Sequence, residues 1–160
     1  MNEPDRFVGL DEQLCFSIYT AAHAFNAAYK PLLDPHGLTY PQFLVLLALW
    51  EKDGLSVKDL GARLHLDSGT LTPLLKRMEA AGHLRRSRNP NDERLLVVEL
   101  TEQGQELRPI VGDIREVMIC TLGGQESTVL ALRDQVEKVV EQLRGAPHLK
   151  PAARDGARGA

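Results

Sequence analysis

The sequence predicts a mainly α-helical fold with one small β-hairpin wing, a winged helix-turn-helix that dimerises through long terminal helices. Three observations predict it. Apolar residues recur at helical spacing in the order helix, helix, helix, helix, hairpin, helix, helix. The hairpin is short, basic and placed directly after two closely spaced short helices. The apolar stripes of the first and last helices extend beyond what so small a winged core covers, and two copies packed together would bury them.

The first helix is expected from about Asp11 to Leu33, where Leu14, Ile18, Ala21, Ala22, Phe25, Leu32 and Leu33 share a stripe. Pro31 is expected to end or kink it, before a turn at Asp34-Pro35-His36-Gly37. Pro41 sits where a first helical residue belongs, and Phe43 to Trp50 is almost wholly apolar, so this helix is mostly buried. Lys52-Asp53-Gly54 breaks it. Ser56 with Asp59 reads as a capping box opening a short helix through Leu64. Asp67 or Ser68 caps the next helix, which runs to about Ala81 and stops at Gly82. Strand-like runs at His83–Arg88 and Arg94–Leu100 flank the polar tip Asn89-Pro90-Asn91-Asp92-Glu93. Thr101 caps a helix to Thr121, roughly 30 Å long at 1.5 Å per residue, with Leu107, Ile110, Val111, Ile114, Val117 and Met118 on one stripe. Gly123-Gly124 interrupts, and Val129 to Leu143 builds a last helix. The domain reading is therefore a single unit over residues 1–145. Its dimerisation helices lie at about 11–33 and 102–145, its DNA-binding lobe at about 41–100. A tail rich in Ala, Gly, Pro and Arg over 146–160 is expected to be disordered.

Charge is uneven along the 160 residues. The chain carries a net −3, yet residues 61–94 hold seven Lys/Arg against four Asp/Glu. A basic island on an acidic protein points to a nucleic-acid face. No apolar run approaches the roughly 18–20 residues of a membrane helix, and the N-terminus lacks a basic-then-apolar signal pattern, so a cytoplasmic protein without membrane contact is expected. The two cysteines, 105 positions apart, make neither a zinc spacing nor a secreted disulfide framework. No cofactor or metal is expected; His23, His36, His65, His83 and His148 are scattered.

On the expected Ser68–Ala81 helix, Leu71, Leu74, Leu75 and Met78 share one face. The opposite face carries Gly69, Pro73, Lys76 and Arg77, with Thr70 and Thr72 at its margins. Small and hydroxyl residues near a helix start let the backbone approach a major groove, and the cations beyond supply phosphate or guanine contacts. Pro73 is anomalous, because past the first turn it removes an intrahelical bond. On the hairpin, Arg86 and Arg88 lead in and Asp92 precedes Arg94 at the tip. An arginine oriented by a carboxylate suits a narrow minor groove.

These residues carry a family resemblance. Asp92-Glu93-Arg94 with Leu100-Thr101 and Gly104 resembles the wing signature of the multiple-antibiotic-resistance regulator (MarR) family. Leu14-Cys15-Phe16, Tyr19, Tyr29-Lys30-Pro31-Leu32-Leu33, Thr39-Tyr40-Pro41-Gln42 and Asp67 to Lys76 resemble its organic-hydroperoxide-resistance (OhrR) branch. The similarity spans roughly residues 10–145. It implies a non-enzymatic dimeric repressor that binds an inverted repeat in double-stranded DNA and leaves it when organic hydroperoxide oxidises a cysteine.

A peroxide-sensing thiol must reach its thiolate form, which hydrogen-bond donors favour. Tyr19, four residues after Cys15, faces it on the same helix. Tyr29 lies roughly 21 Å along the axis and cannot reach its own Cys15. As a donor it must come from the other subunit of an antiparallel pair. The resemblance gives that part to Tyr29 and Tyr40 of the partner chain. Phe7, Phe16, Phe25 and Trp50 either make the surrounding pocket apolar or simply pack. Cys120 alone reads as a small core residue; the resemblance implies a two-cysteine sensor in which Cys15 of one subunit joins Cys120 of the other. Two alternatives stand beside the sensor reading: release by a small phenolic ligand, and a thiol peroxidase, for which no Pro/Thr/Cys/Arg cluster surrounds Cys15.

Overall fold

A computed structural model describes residues 8–146; Phe7, His148 and the expected tail beyond Ala146 lie outside them. The chain divides into two compact units after Ile114. The first contains α1 (Leu14–Leu33), α2 (Tyr40–Glu51), β1 (Leu55–Ser56), α3 (Val57–Leu64), α4 (Ser68–Ala80), β2 (Leu84–Asn89), β3 (Asp92–Leu100) and α5 (Glu102–Glu106). α6 (Ile110–Thr121) crosses the division, and α7 (Glu126–Gly145) lies in the second unit. The architecture is mainly helical with a three-stranded antiparallel sheet in the order β1-β3-β2.

The core of the first unit is aliphatic. Leu46 and Leu49 of α2, Leu60 of α3, Leu71, Leu75 and Met78 of α4, and Leu84 and Val98 of the sheet are all fully buried. Burying one such side chain contributes about 1.5–3 kcal/mol, so this interior fixes α4 against the sheet. Side chains also tie the elements together. Trp50 Nε1 donates to the Gly104 carbonyl at 3.0 Å, and the Leu100 N–H donates to Asp53 Oδ1 at 2.9 Å.

Several boundaries differ from the sequence reading, each for a physical reason. α1 begins at Leu14, after a 3-10 turn over Leu10–Glu12. It runs through Pro31 to Leu33: so close to the C-terminus the proline removes one hydrogen bond without stopping the last turn. The chain then reverses at Gly37, whose φ of 66° is left-handed, between the buried Leu33 and Leu38. The Ser56 cap is half a box. Its Oγ accepts from the Asp59 N–H, but the Asp59 carboxylate accepts from that hydroxyl rather than from the backbone. β1 escapes periodicity because it is two residues long; it pairs Leu55 with Val98 and Ser56 with Val97. The hairpin strands extend further into the expected tip, to an Asn89–Asp92 pair, with a register shift after Arg88.

The expected Thr101–Thr121 helix is two helices. Thr101 caps α5 by accepting from the Gly104 N–H at 3.1 Å, and the helix stops at Glu106. Pro109 has no N–H to give and disfavours helical backbone at Arg108 before it, so α6 restarts at Ile110. In the second unit Gly123 and Gly124, both at positive φ, separate α6 from α7.

Candidate functional site

α4 presents one side to the core and the other to solvent. Asp67 is its cap, accepting from the Thr70 N–H at 2.9 Å and from the Thr70 hydroxyl at 3.2 Å. These bonds hold the Asp67 carboxyl below its usual range. Leu71, Leu74, Leu75 and Met78 are buried, while Ser68, Gly69, Thr70, Pro73, Lys76 and Arg77 are exposed and Thr72 is half-buried. The expected contact face is therefore on the surface as one continuous strip. Pro73 lies inside the helix, so the Gly69 carbonyl has no donor at the usual i+4 position.

The wing places its basic residues differently from one another. Arg94 is exposed, and its backbone N–H donates to Asp92 Oδ1 at 3.1 Å, so Asp92 shapes the tip through the backbone. Arg88 is exposed on β2, opposite Leu96. Arg86 is held inward by a residue that sequence reasoning passed over, Glu79 of α4. The Arg86 N–H donates to Glu79 Oε1 at 2.8 Å, and its guanidinium Nε and Nη2 donate to Oε2 at 3.0 and 2.5 Å. The signal in the sequence is slight: an acid seven residues before an arginine, across a helix, a glycine turn and the start of a strand.

The thiol region lies on α1 and the start of α2. Cys15 is exposed in the first turn of α1, where a helix end carries partial positive charge. Tyr19 is exposed and packs edge-on against His23, with ring centroids 4.4 Å apart. Tyr29 and Tyr40 come together, at 4.7 Å between centroids, and Tyr29 also stacks near Phe43 at 6.0 Å. Burial raises both phenols above the usual tyrosine value, and Tyr40 raises Tyr29 further. Both therefore keep their hydroxyl protons at neutral pH. Cys120 is exposed near the end of α6. Phe16 and Phe25 are half-buried, as is Trp50. Among the described residues no group of three His, Cys, Asp or Glu is placed to hold a metal ion, and no helix is long and apolar enough to cross a membrane.

Comparison with known proteins completes the picture. Residues 27–108 match the family described as the transcriptional regulator SarA/Rot. The HTH-type transcriptional regulator TtmR of Methylorubrum extorquens is 51% identical over 138 residues, covering 84% of this chain and 69% of that protein. The organic hydroperoxide resistance transcriptional regulator of Bacillus subtilis is 44% identical over 137 residues, 86% of each chain. Among solved structures, reduced AbfR bound to DNA superposes with a TM-score of 0.73 at 34% identity, covering 84% of this chain and 94% of that one. Disulfide-formed AbfR superposes at 0.60 and 35%, covering 82% and 92%. The winged helix-turn-helix and the identity over most of the chain agree: this chain belongs to the MarR/SarA-type family of transcriptional regulators.

Proposed function

We propose that the chain is a dimeric, redox-sensing repressor that binds an inverted-repeat operator and releases it when organic hydroperoxide oxidises Cys15. The observation that carries the reading is the Tyr29–Tyr40 pair. Two half-buried phenols hold their protons and meet ring to ring, in a chain whose thiol is exposed on α1. In the dimer each pair serves the partner's Cys15 as hydrogen-bond donors, with Tyr19 from the same helix. The Cys15 thiolate attacks the terminal peroxide oxygen and the O–O bond breaks, leaving a sulfenic acid, while the departing alkoxide takes a proton from water and leaves as the alcohol. The Cys120 thiol of the other subunit then condenses with it, forming a disulfide and water. Disulfide-formed AbfR and the Bacillus regulator support this chemistry by analogy.

The exposed apolar residues support the dimer. Leu10, Leu14 and Ile18 stand out from the start of the chain, and α7 buries no side chain while exposing Leu132, Val136 and Leu143. The two sets would form the dimerisation helices, and residues 41–100 the DNA-binding lobe. The strip of Ser68, Gly69, Thr70, Thr72, Pro73, Lys76 and Arg77 enters a major groove, and Arg88 and Arg94 serve the adjoining minor groove, with Asp92 shaping the tip by accepting from the Arg94 N–H.

The test is operator binding before and after cumene hydroperoxide, with mass analysis of Cys15. Cys15→Ser should bind DNA when reduced and stay bound under peroxide, and Tyr29→Phe with Tyr40→Phe should slow Cys15 oxidation. A specific cavity favours one second reading. An open hollow of about 440 Å³ is lined by Leu47, Trp50, Glu51, Arg108 and Val111 in the first unit, apolar walls with one anion and one cation that suit a small phenolic ligand. A Cys15→Ser protein that still releases DNA under peroxide overturns the sensor and leaves the ligand-gated reading.

A further inference from the structure

We propose that Glu79 and Arg86 form a clasp that sets the angle of the wing against α4, so that Arg86 acts on DNA only by positioning Arg88 and Arg94. The inference rests on the DNA-binding reading, but the clasp itself is visible without it. Three hydrogen bonds join the two residues, one from the backbone N–H of Arg86 and two from its guanidinium. The two guanidinium donors converge on Oε2 while the backbone N–H takes Oε1, so the three bonds fix orientation as well as distance, which a single lysine contact does not. The backbone bond matters equally, because it anchors the strand and not merely a side chain.

Position gives the clasp its leverage. Leu84, Arg86 and Arg88 alternate along β2 and therefore share one face of the sheet. Along that face Leu84 is buried, the Arg86 side chain is 17% exposed and Arg88 is exposed. The clasp thus marks where the wing leaves the core. β1 accompanies the ladder only one residue further, where Ser56 pairs with Val97 opposite Ser87, and beyond that β2 and β3 run on as a two-stranded hairpin with a register shift after Arg88. On α4, Glu79 follows Lys76 by three residues and Thr72 by seven, at the edge of the strip assigned to DNA. A bare carboxylate there would repel phosphates. Arg86 neutralises it, and its hydrogen bonds keep the Glu79 carboxyl below its usual range. The pair contributes no net charge to the interface, which leaves geometry as its contribution.

Positioning and direct contact predict opposite signs for one substitution. Glu79→Gln removes a negative charge beside the DNA face. If Arg86 contacts DNA, that change leaves binding unchanged or tightens it. If Glu79 holds the wing, it weakens binding. The experiment measures affinity across a salt series for a duplex selected by the wild-type protein from a random pool, with Glu79→Gln, Arg86→Gln, Arg86→Lys and the Glu79→Gln/Arg86→Gln double variant. The expected result is a loss of about fivefold or more in every variant, with the double no worse than either single because both break one unit. Arg86→Lys falls with the others, since it keeps the charge but not the fork. Amide hydrogen exchange on the free proteins should speed up across residues 86–96 in all four while the α4 core amides stay protected. Tighter or unchanged binding by Glu79→Gln, or unchanged wing exchange, overturns the clasp. If wild type selects no duplex at all, the DNA reading fails, and the exchange experiment still decides whether the clasp holds the wing.

Discussion

His83 shows how a single side chain constrains the fold without belonging to the site. It stands between α4 and β2 with about 5% of its surface exposed, and its Nδ1 has no hydrogen-bond partner. Its backbone is fully used: its N–H donates to the Met78 carbonyl and its carbonyl accepts from the Thr101 N–H. Gly104 lies so close to that carbonyl that a Cβ there would collide with it. Desolvation lowers the His83 pKa from its ordinary value, so the folded state favours the neutral ring. The associated stability is intact above about pH 6.5, the unfolded value, and is lost as pH falls towards and through the lowered folded value. Denaturant midpoints at pH 7.5 and 5.5 should therefore separate for wild type and draw together for His83→Leu. An equal acid loss in that variant would assign the effect to other groups. Residue types were legible in the sequence at this scale, and Cys15, Tyr29 and Tyr40 stood out as chemistry. Residue partners were not. Glu79 meets Arg86, and Tyr29 meets Tyr40, only because helices and strands converge in three dimensions.

At the scale of elements, periodicity located every long helix and the hairpin but misjudged where they stop. The stripe Leu107, Ile110, Val111, Ile114 stays in helical phase across Pro109, so the break between α5 and α6 leaves no gap in the apolar pattern. The two-residue β1 is too short to show alternation at all. Proline is the common thread, since the same residue type breaks one helix at Pro109, is tolerated late in α1 at Pro31, and sits well inside α4 at Pro73. Pro73 costs α4 the bond that residue 73 would donate to the Gly69 carbonyl, and an interior proline costs a helix about 3 kcal/mol. Part of that is offset, because proline also restricts the unfolded chain. Pro73→Ala should accordingly stabilise the protein by roughly 1–2 kcal/mol, read as a raised midpoint in thermal or urea unfolding. Equal or lower stability would mean that the folded backbone at residue 73 suits proline better than alanine. Its position on the exposed strip, beside Gly69 and Lys76, connects that stability cost to the surface assigned to DNA.

The whole molecule is where the sequence and the single chain both stop short, because the proposed sensor is completed only between two copies. Tyr29 cannot reach the Cys15 of its own helix, the two lying 14 residues and roughly 21 Å apart along α1. α1 and α7 each leave apolar residues exposed, Leu14 and Ile18 on the one and Leu132, Val136 and Leu143 on the other. If two copies pair through them, oxidation has a defined covalent consequence. Cys15 and Cys120 are both exposed, and a sulfenic acid condenses with any thiol that reaches it. Disulfide geometry demands Cα atoms within about 7 Å, so closing the bond constrains how the copies are arranged. A hundredfold loss of operator affinity needs only about 2.7 kcal/mol of difference in binding between the two states. One disulfide that reorients the winged lobes is sufficient for that. Mild organic hydroperoxide should therefore give a reducible dimer band on a non-reducing denaturing gel, absent from both Cys15→Ser and Cys120→Ser. Cys120→Ser should still form the sulfenic acid and then over-oxidise or be capped by an added small thiol. A wild type that releases DNA yet remains monomeric on the gel would make Cys120 a packing residue and the protein a one-cysteine sensor.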